Sequence, residues 1–193
     1  MGPRHECMVY CGSPDRHLWA IALAMCDKLT HDHRCMYFNS PEMVTKLRWR
    51  FETLGIDVQR ESDAGRLVLT SERPHLRNGL FDMDKMLRLL EEAFHGAMND
   101  GYAGLWTSGD IGWEFGPGQD FSRLREYESK LDGFFTAHPE YGGVCQYHGP
   151  SLPSLAIQDA FHTHPMIFMT ESLSVSNSRY RGSESVHDSS TRA

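Results

Sequence analysis

His5 and Cys7 stand one residue apart at the head of the apolar run CMVYC. In a strand, residues two apart face the same side, so an imidazole and a thiol there point together. Both are ligand types for zinc or copper. Two ligands do not complete a site. His17, His31, His33 and Cys35 are also present, but their spacing matches no zinc pattern. The competing reading is a core cysteine beside a surface histidine.

Glu128 is a second candidate. Phe121, Leu124, Leu131 and Phe135 recur at helical spacing, and at 100° per residue Glu128 falls inside their stripe. A carboxylate on a buried face needs a partner or a role. It is either a structural ion pair with an arginine or a loop amide, or the polar anchor of a ligand pocket with a raised pKa. A third candidate is TSGDIGWEFG, residues 107–116, where Asp110, Trp113 and Glu114 combine acids with an aromatic wall in a glycine-containing loop. Asp110 and Glu128 would suit an acid/base pair, but no GxSxG or comparable nucleophile signature accompanies them. Further on, CQYHGPSLPS supplies Gln146, Tyr147 and His148, and FHTHP brings two more histidines.

These residues sit at the ends of a regular alternation. Six short apolar runs, at 7–11, 34–39, 66–70, 104–109, 143–147 and 166–170, read as strands buried on both faces. Helical periodicity fills 16–29, 81–98, 120–136 and 153–162. Another helix begins at Ser40-Pro41, a capping hydroxyl before proline, and ends at Gly55. The order predicts a doubly wound α/β domain, its sheet mostly parallel with helices on both faces. Ligands in such folds sit at the carboxyl ends of the strands. That directs attention to loops 11–16, 71–80, 108–119 and 147–152.

The first of those loops is where a phosphate cradle would be. YCGSPDRH lacks the second glycine and the lysine of GxxxxGK[ST], and Asp15 sets a negative charge where phosphate would lie. ATP is therefore not an expected cofactor. The net charge of −7 argues against direct nucleic-acid binding. Five cysteines without a CxxC pair, no apolar leader in MGPRHE and no run of membrane-spanning length predict a cytoplasmic chain with reduced thiols and no membrane association. From Glu171 onward serine dominates, so 171–193 is read as a disordered tail after a domain at 1–170.

The set His5-x-Cys7-x-x-Tyr10, RCMYF, GRLVLT, GLFDMDKMLRLLEEAF, TSGDIGW, LREYESKL, CQY and THP resembles, in order and spacing over about residues 4–170, the MEDS family, the methanogen/methylotroph sensory domain. The resemblance implies a RecA/KaiC-like domain that has lost its nucleotide-phosphate motif and senses small molecules such as hydrocarbon derivatives. It points to His5, Cys7, Tyr10, Gly109, Asp110, Trp113, Glu126, Tyr127, Glu128, Gln146 and Tyr147. The expected function is a non-catalytic sensory module. Its ligand would meet His5, Cys7, Tyr10, Asp110, Trp113, Glu128, Gln146 and Tyr147, with His5 and Cys7 as metal ligands. The bound species would be a small organic molecule or a metal ion. Output would pass through a signalling kinase, a transcription regulator, a second copy of the chain or an output domain elsewhere. The alternatives are a protein-interaction module with an inert pocket, or an enzyme using Asp110 and Glu128 or a His5/Cys7 metal centre.

Overall fold

The computed structural model describes residues 4–182. All six predicted strands form: β1 (Arg4–Tyr10), β2 (His33–Phe38), β3 (Leu67–Thr70), β6 (Gly104–Asp110), β7 (Tyr141–His148) and β8 (Met166–Thr170). A two-residue pair, β4 (Leu76–Arg77) and β5 (Leu80–Phe81), makes a separate antiparallel hairpin. The main sheet has seven strands in the order β3-β2-β6-β7-β1-β8-β9. All its pairings are parallel except the last, where β9 (Leu173–Ser176) runs antiparallel to β8.

Helices cover both faces, so the fold is doubly wound. α1 (Leu18–Thr30), α2 (Pro41–Thr53) and α3 (Val58–Asp63) bury Ile21, Met25, Leu47 and Phe51 against Met8, Cys35, Tyr37 and Trp106 of the sheet. α4 (Met83–Asn99), α6 (Leu124–Ala137) and α7 (Ser154–Thr163) pack Leu90, Phe94, Leu131 and Phe135 over Cys7, Leu105, Tyr141 and Tyr147 on the other side. Ser40 caps α2 by accepting from the Met43 amide, and Gly55 takes the left-handed conformation (φ 81°) just beyond the helix. α5 (Ile111–Glu114) is a single turn capped by Asp110.

Adjacent strands β1 and β7 send their chains to opposite faces, β1 into α1 and β7 into α7. Their carboxyl ends therefore part, which opens the crevice expected at a topological switch point.

The segment from 171 departs from the reading of a disordered tail. β9 forms within it, and Asn177 donates to the carbonyls of Phe161 and His164 at 2.7 Å each. Tyr180 donates its hydroxyl to Asp132 at 2.6 Å. Composition missed this because backbone pairing and polar side chains hold the strand, with Leu173 and Val175 both exposed. The remainder of that tail, 183–193, lies outside the described residues.

Gly143 of β7 pairs with Thr107 of β6. A Cβ there would lie 2.6 Å from the Thr107 carbonyl oxygen, and backbone cannot yield cheaply. Gly143→Ala is expected to cost about 1–3 kcal/mol, read as a lower urea midpoint at unchanged slope.

Candidate functional site

Alternation along β1 sends His5 and Cys7 to the α6/α7 face and Met8 and Tyr10 to the other. The predicted site residues accordingly divide between a buried cluster and a cavity at the strand ends.

The cluster is built around Glu128, which is fully buried. His5 stacks on Phe135 with ring centroids 4.7 Å apart. Its Nε2 lies 3.3 Å from Glu128 Oε2, and its Nδ1 lies 3.1 Å from Asp132 Oδ1. Glu128 and Asp132 are one turn apart on α6, so both reach the same side. Tyr147 of β7 donates its hydroxyl to Glu128 Oε1 at 2.5 Å. His164, the residue that ends α7, has its Nδ1 2.8 Å from the Ala160 carbonyl and its Nε2 3.5 Å from Glu128 Oε2. A carbonyl only accepts, so Nδ1 carries the proton and Nε2 presents a lone pair. Cys145 Sγ lies 3.8 Å from both His5 Nε2 and Glu128 Oε2.

Burial alone would raise the Glu128 pKa. The hydrogen bond and charge of His5 and the hydrogen bond from Tyr147 outweigh it and hold it below the usual range. Burial works against the His5 imidazolium, but Asp132 and Glu128 overcome that and raise its pKa. Burial and the neighbouring His5 push His164 down to about 3. Burial, then the charge of Glu128, pushes the Cys145 thiol well up. The expected arginine partner and raised pKa of Glu128 are thus replaced by two histidines and a lowered one. The surface histidine of the competing reading is a buried one.

The cavity lies at the carboxyl ends of β1, β2, β6 and β7. It measures about 420 Å³ and is walled by Tyr10, Asn39, Asp110, Trp113 and His148, with the Ser13–Asp15 loop at its rim. Asp110 is held on both oxygens. The Trp113 amide donates to Oδ1 at 2.8 Å and the Tyr10 hydroxyl to Oδ2 at 3.3 Å. Burial raises the Asp110 pKa against those bonds. His148 stacks over Tyr10 with centroids 5.1 Å apart, and its Nε2 lies 3.0 Å from the Gly12 carbonyl. Lys46 is the cation on this wall, and it pairs with Glu42 at 2.8 Å and Asp15 at 3.7 Å.

Cys7 shares the face of His5, but its Sγ approaches the Met166 carbonyl at 3.8 Å. Gln146 faces the opposite side and donates to Ser108 Oγ at 2.8 Å. Glu126 is a surface residue paired with Arg123 and Lys130, and Tyr127 is core. Asp110 and Glu128 belong to different sites. Among the described residues no hydrogen bond or ion pair joins them. Glu114, buried and felt by both charges, is raised well above the carboxylate range by burial first and then by Glu128 and Asp110. Its carboxyl occupies the space a Cβ at Gly109 would need.

Sequence reasoning missed Asp132, Cys145 and His164 as partners of Glu128. Asp132 had a readable signal, a second acid four residues on in the same apolar stripe. Cys145 and His164 are 17 and 36 residues from Glu128 and meet it only through the sheet order.

The family model of MEDS, the methanogen/methylotroph, DcmR sensory domain, matches residues 4–165. No curated protein matches the chain. Among solved structures, a KaiC-like protein from the hyperthermophilic archaeon Pyrococcus horikoshii OT3 is similar, with a TM-score of 0.56 at 11% identity over 84% of this chain and 69% of that one. At that identity the likeness concerns the fold. No described helix is long and apolar enough to cross a membrane.

His75 gives a pH test of this region. It is buried beside Trp113, with Nε2 2.9 Å from the Glu114 carbonyl, and burial lowers its pKa. The folded chain refuses a proton that the unfolded chain accepts near pH about 6.5. Stability is therefore present above that pH and lost as pH falls toward the folded value. His164 acts in the same sense. His5, raised, acts oppositely, and its contribution is complete below about 6.5. The melting temperature is expected to fall from pH 7 to 5, and to fall less steeply in His75→Gln, by calorimetry across the series.

Proposed function

The chain belongs to the MEDS family, and from that premise we propose that it is a non-catalytic sensory module holding a small organic molecule in the strand-end cavity. The observation that carries this reading is the cavity's wall. Aromatic side chains of Tyr10, Trp113 and His148 line the cavity with the half-buried carboxylate of Asp110, whose two oxygens are fixed by hydrogen bonds. Its volume falls in the range of small-molecule sites, which pair apolar walls with a few placed polar groups. A carboxylate anchored on both oxygens serves better as a fixed acceptor for a ligand hydroxyl or amine than as a mobile base.

The loop after β1 supports an organic rather than a nucleotide ligand. Gly12 turns it with φ 99°, and its carbonyl faces His148 instead of leaving a ring of amides toward an anion. Asp15 and Glu42, paired with Lys46, together with Asp110 make the cavity unfavourable to phosphate. The ligand acts by favouring one arrangement of the 11–16 and 147–152 loops, and a signalling partner, a kinase or a transcription regulator, reads that shift.

Native mass spectrometry of the protein as purified, with thermal melts in a panel of small alcohols, amines and chlorinated hydrocarbons, tests this. A retained organic mass is expected, or a rise of about 5–10 °C with a panel member near saturation. The response is lost in Asp110→Asn and weakened in Tyr10→Phe. No bound mass and no shift across the panel contradicts the reading and favours an interaction module.

A further inference from the structure

The buried cluster has a feature that ion pairing leaves unexplained. His164 Nε2 is inaccessible to solvent and has no hydrogen-bond partner, yet it points at Glu128 Oε2 from 3.5 Å. A buried lone pair without a donor costs free energy. Oε2 of the fully buried Glu128 is also 3.3 Å from His5 Nε2, and Cys145 Sγ completes the group. One ligand atom from each of His5, Glu128, Cys145 and His164 lies within 4.8 Å of the others.

We propose that these four residues form a closed tetrahedral zinc site. The separations fit. Zinc bonds of about 2.0–2.1 Å to nitrogen or oxygen and about 2.3 Å to sulfur imply tetrahedral edges of about 3.3 and about 3.6 Å. Four of the six edges are 3.3 Å (His5 to Glu128), 3.5 Å (His164 to Glu128) and 3.8 Å from Cys145 to each of His5 and Glu128, and the two from His164 to His5 and to Cys145 lie within 4.8 Å. Two imidazoles, a carboxylate and a thiolate in this geometry select zinc among the common divalent ions.

The outer contacts are those that ligands require. His5 Nδ1 faces Asp132, which is itself held by Tyr180, and His164 Nδ1 donates to the Ala160 carbonyl. Both rings thereby turn Nε2 inward. Tyr147 occupies Glu128 Oε1 and leaves Oε2 for the ion. On binding, the Cys145 thiol proton, and the Nε2 proton where His5 carries one, leave to solvent, and the ion supplies the compensating positive charge. With four protein ligands and no open position the site is structural. It ties β1, α6, β7 and the end of α7 together beneath the strand-end cavity. The proposal stands on this cluster alone and does not depend on the cavity's ligand.

The test uses untagged full-length chain carrying Cys11→Ser, which removes an exposed thiol. It is refolded from guanidinium with equimolar zinc or with excess chelator, desalted and assayed for metal and melting temperature. One zinc per chain and a rise of about 10 °C over the chelated protein are expected. Cobalt refolded in the same way is expected to give intense tetrahedral d–d bands and a thiolate charge-transfer band. Cys145→Ser loses the charge-transfer band, and His164→Ala loses stoichiometric zinc. Where a variant does not fold, the cobalt spectrum of the parent decides. Folded protein without zinc, a six-coordinate cobalt spectrum without thiolate, or full zinc retention in a folded His164→Ala would overturn the proposal.

Discussion

A carboxylate with no access to water sits in the layer between α6 and the sheet, and much of the surrounding architecture answers to it. Glu128 is compensated from β1 by His5 and from β7 by Tyr147, and His164 at the end of α7 faces it from 3.5 Å. These three elements meet only because β1 is inserted between β7 and β8. Asp132 extends the network to Tyr180, beyond β9, which makes the last described turn of the chain part of the same assembly. Removing one partner from such a group leaves an uncompensated buried charge, typically a loss of about 3–5 kcal/mol.

The cavity and the cluster draw on the same strands. β1 carries His5 to the cluster and Tyr10 to the cavity, β7 carries Cys145 and His148 likewise, and Glu114 on α5 has its carboxyl packed against Gly109 beside Phe38. Asp110 caps α5 and so fixes the turn that buries Glu114, whose charge state responds to both Asp110 and Glu128. The loop after β1, which has neither the second glycine nor the lysine of a phosphate-binding loop, closes the cavity's rim. His148 holds it at Gly12, and Arg50 of α2 donates to the Asp15 carbonyl at 2.9 Å.

The sheet was legible because its strands are continuous apolar runs flanked by amphipathic helices, and those patterns are local. Glu128 was legible for the same reason, as a charge in an apolar stripe. Its partners were not, because pairing His5 with residues 128, 145 and 164 requires the strand order, which no local period encodes. The family resemblance grouped Tyr10 with Cys7 in one site, yet alternation places them on opposite faces. β9 escaped because backbone bonds and Asn177 hold it, and composition registers neither. The α5 turn is too short to show a period.

The central claim is that His164 presents a bare Nε2 to a carboxylate flanked by His5. Long-range proton–nitrogen correlation of the imidazoles in metal-free protein at neutral pH observes this directly. The account predicts His164 as the Nδ1–H tautomer with Nε2 unprotonated, and His5 with its Nδ1 proton in the bond to Asp132. A proton on His164 Nε2 would make it an ordinary donor to Glu128 and would contradict the account.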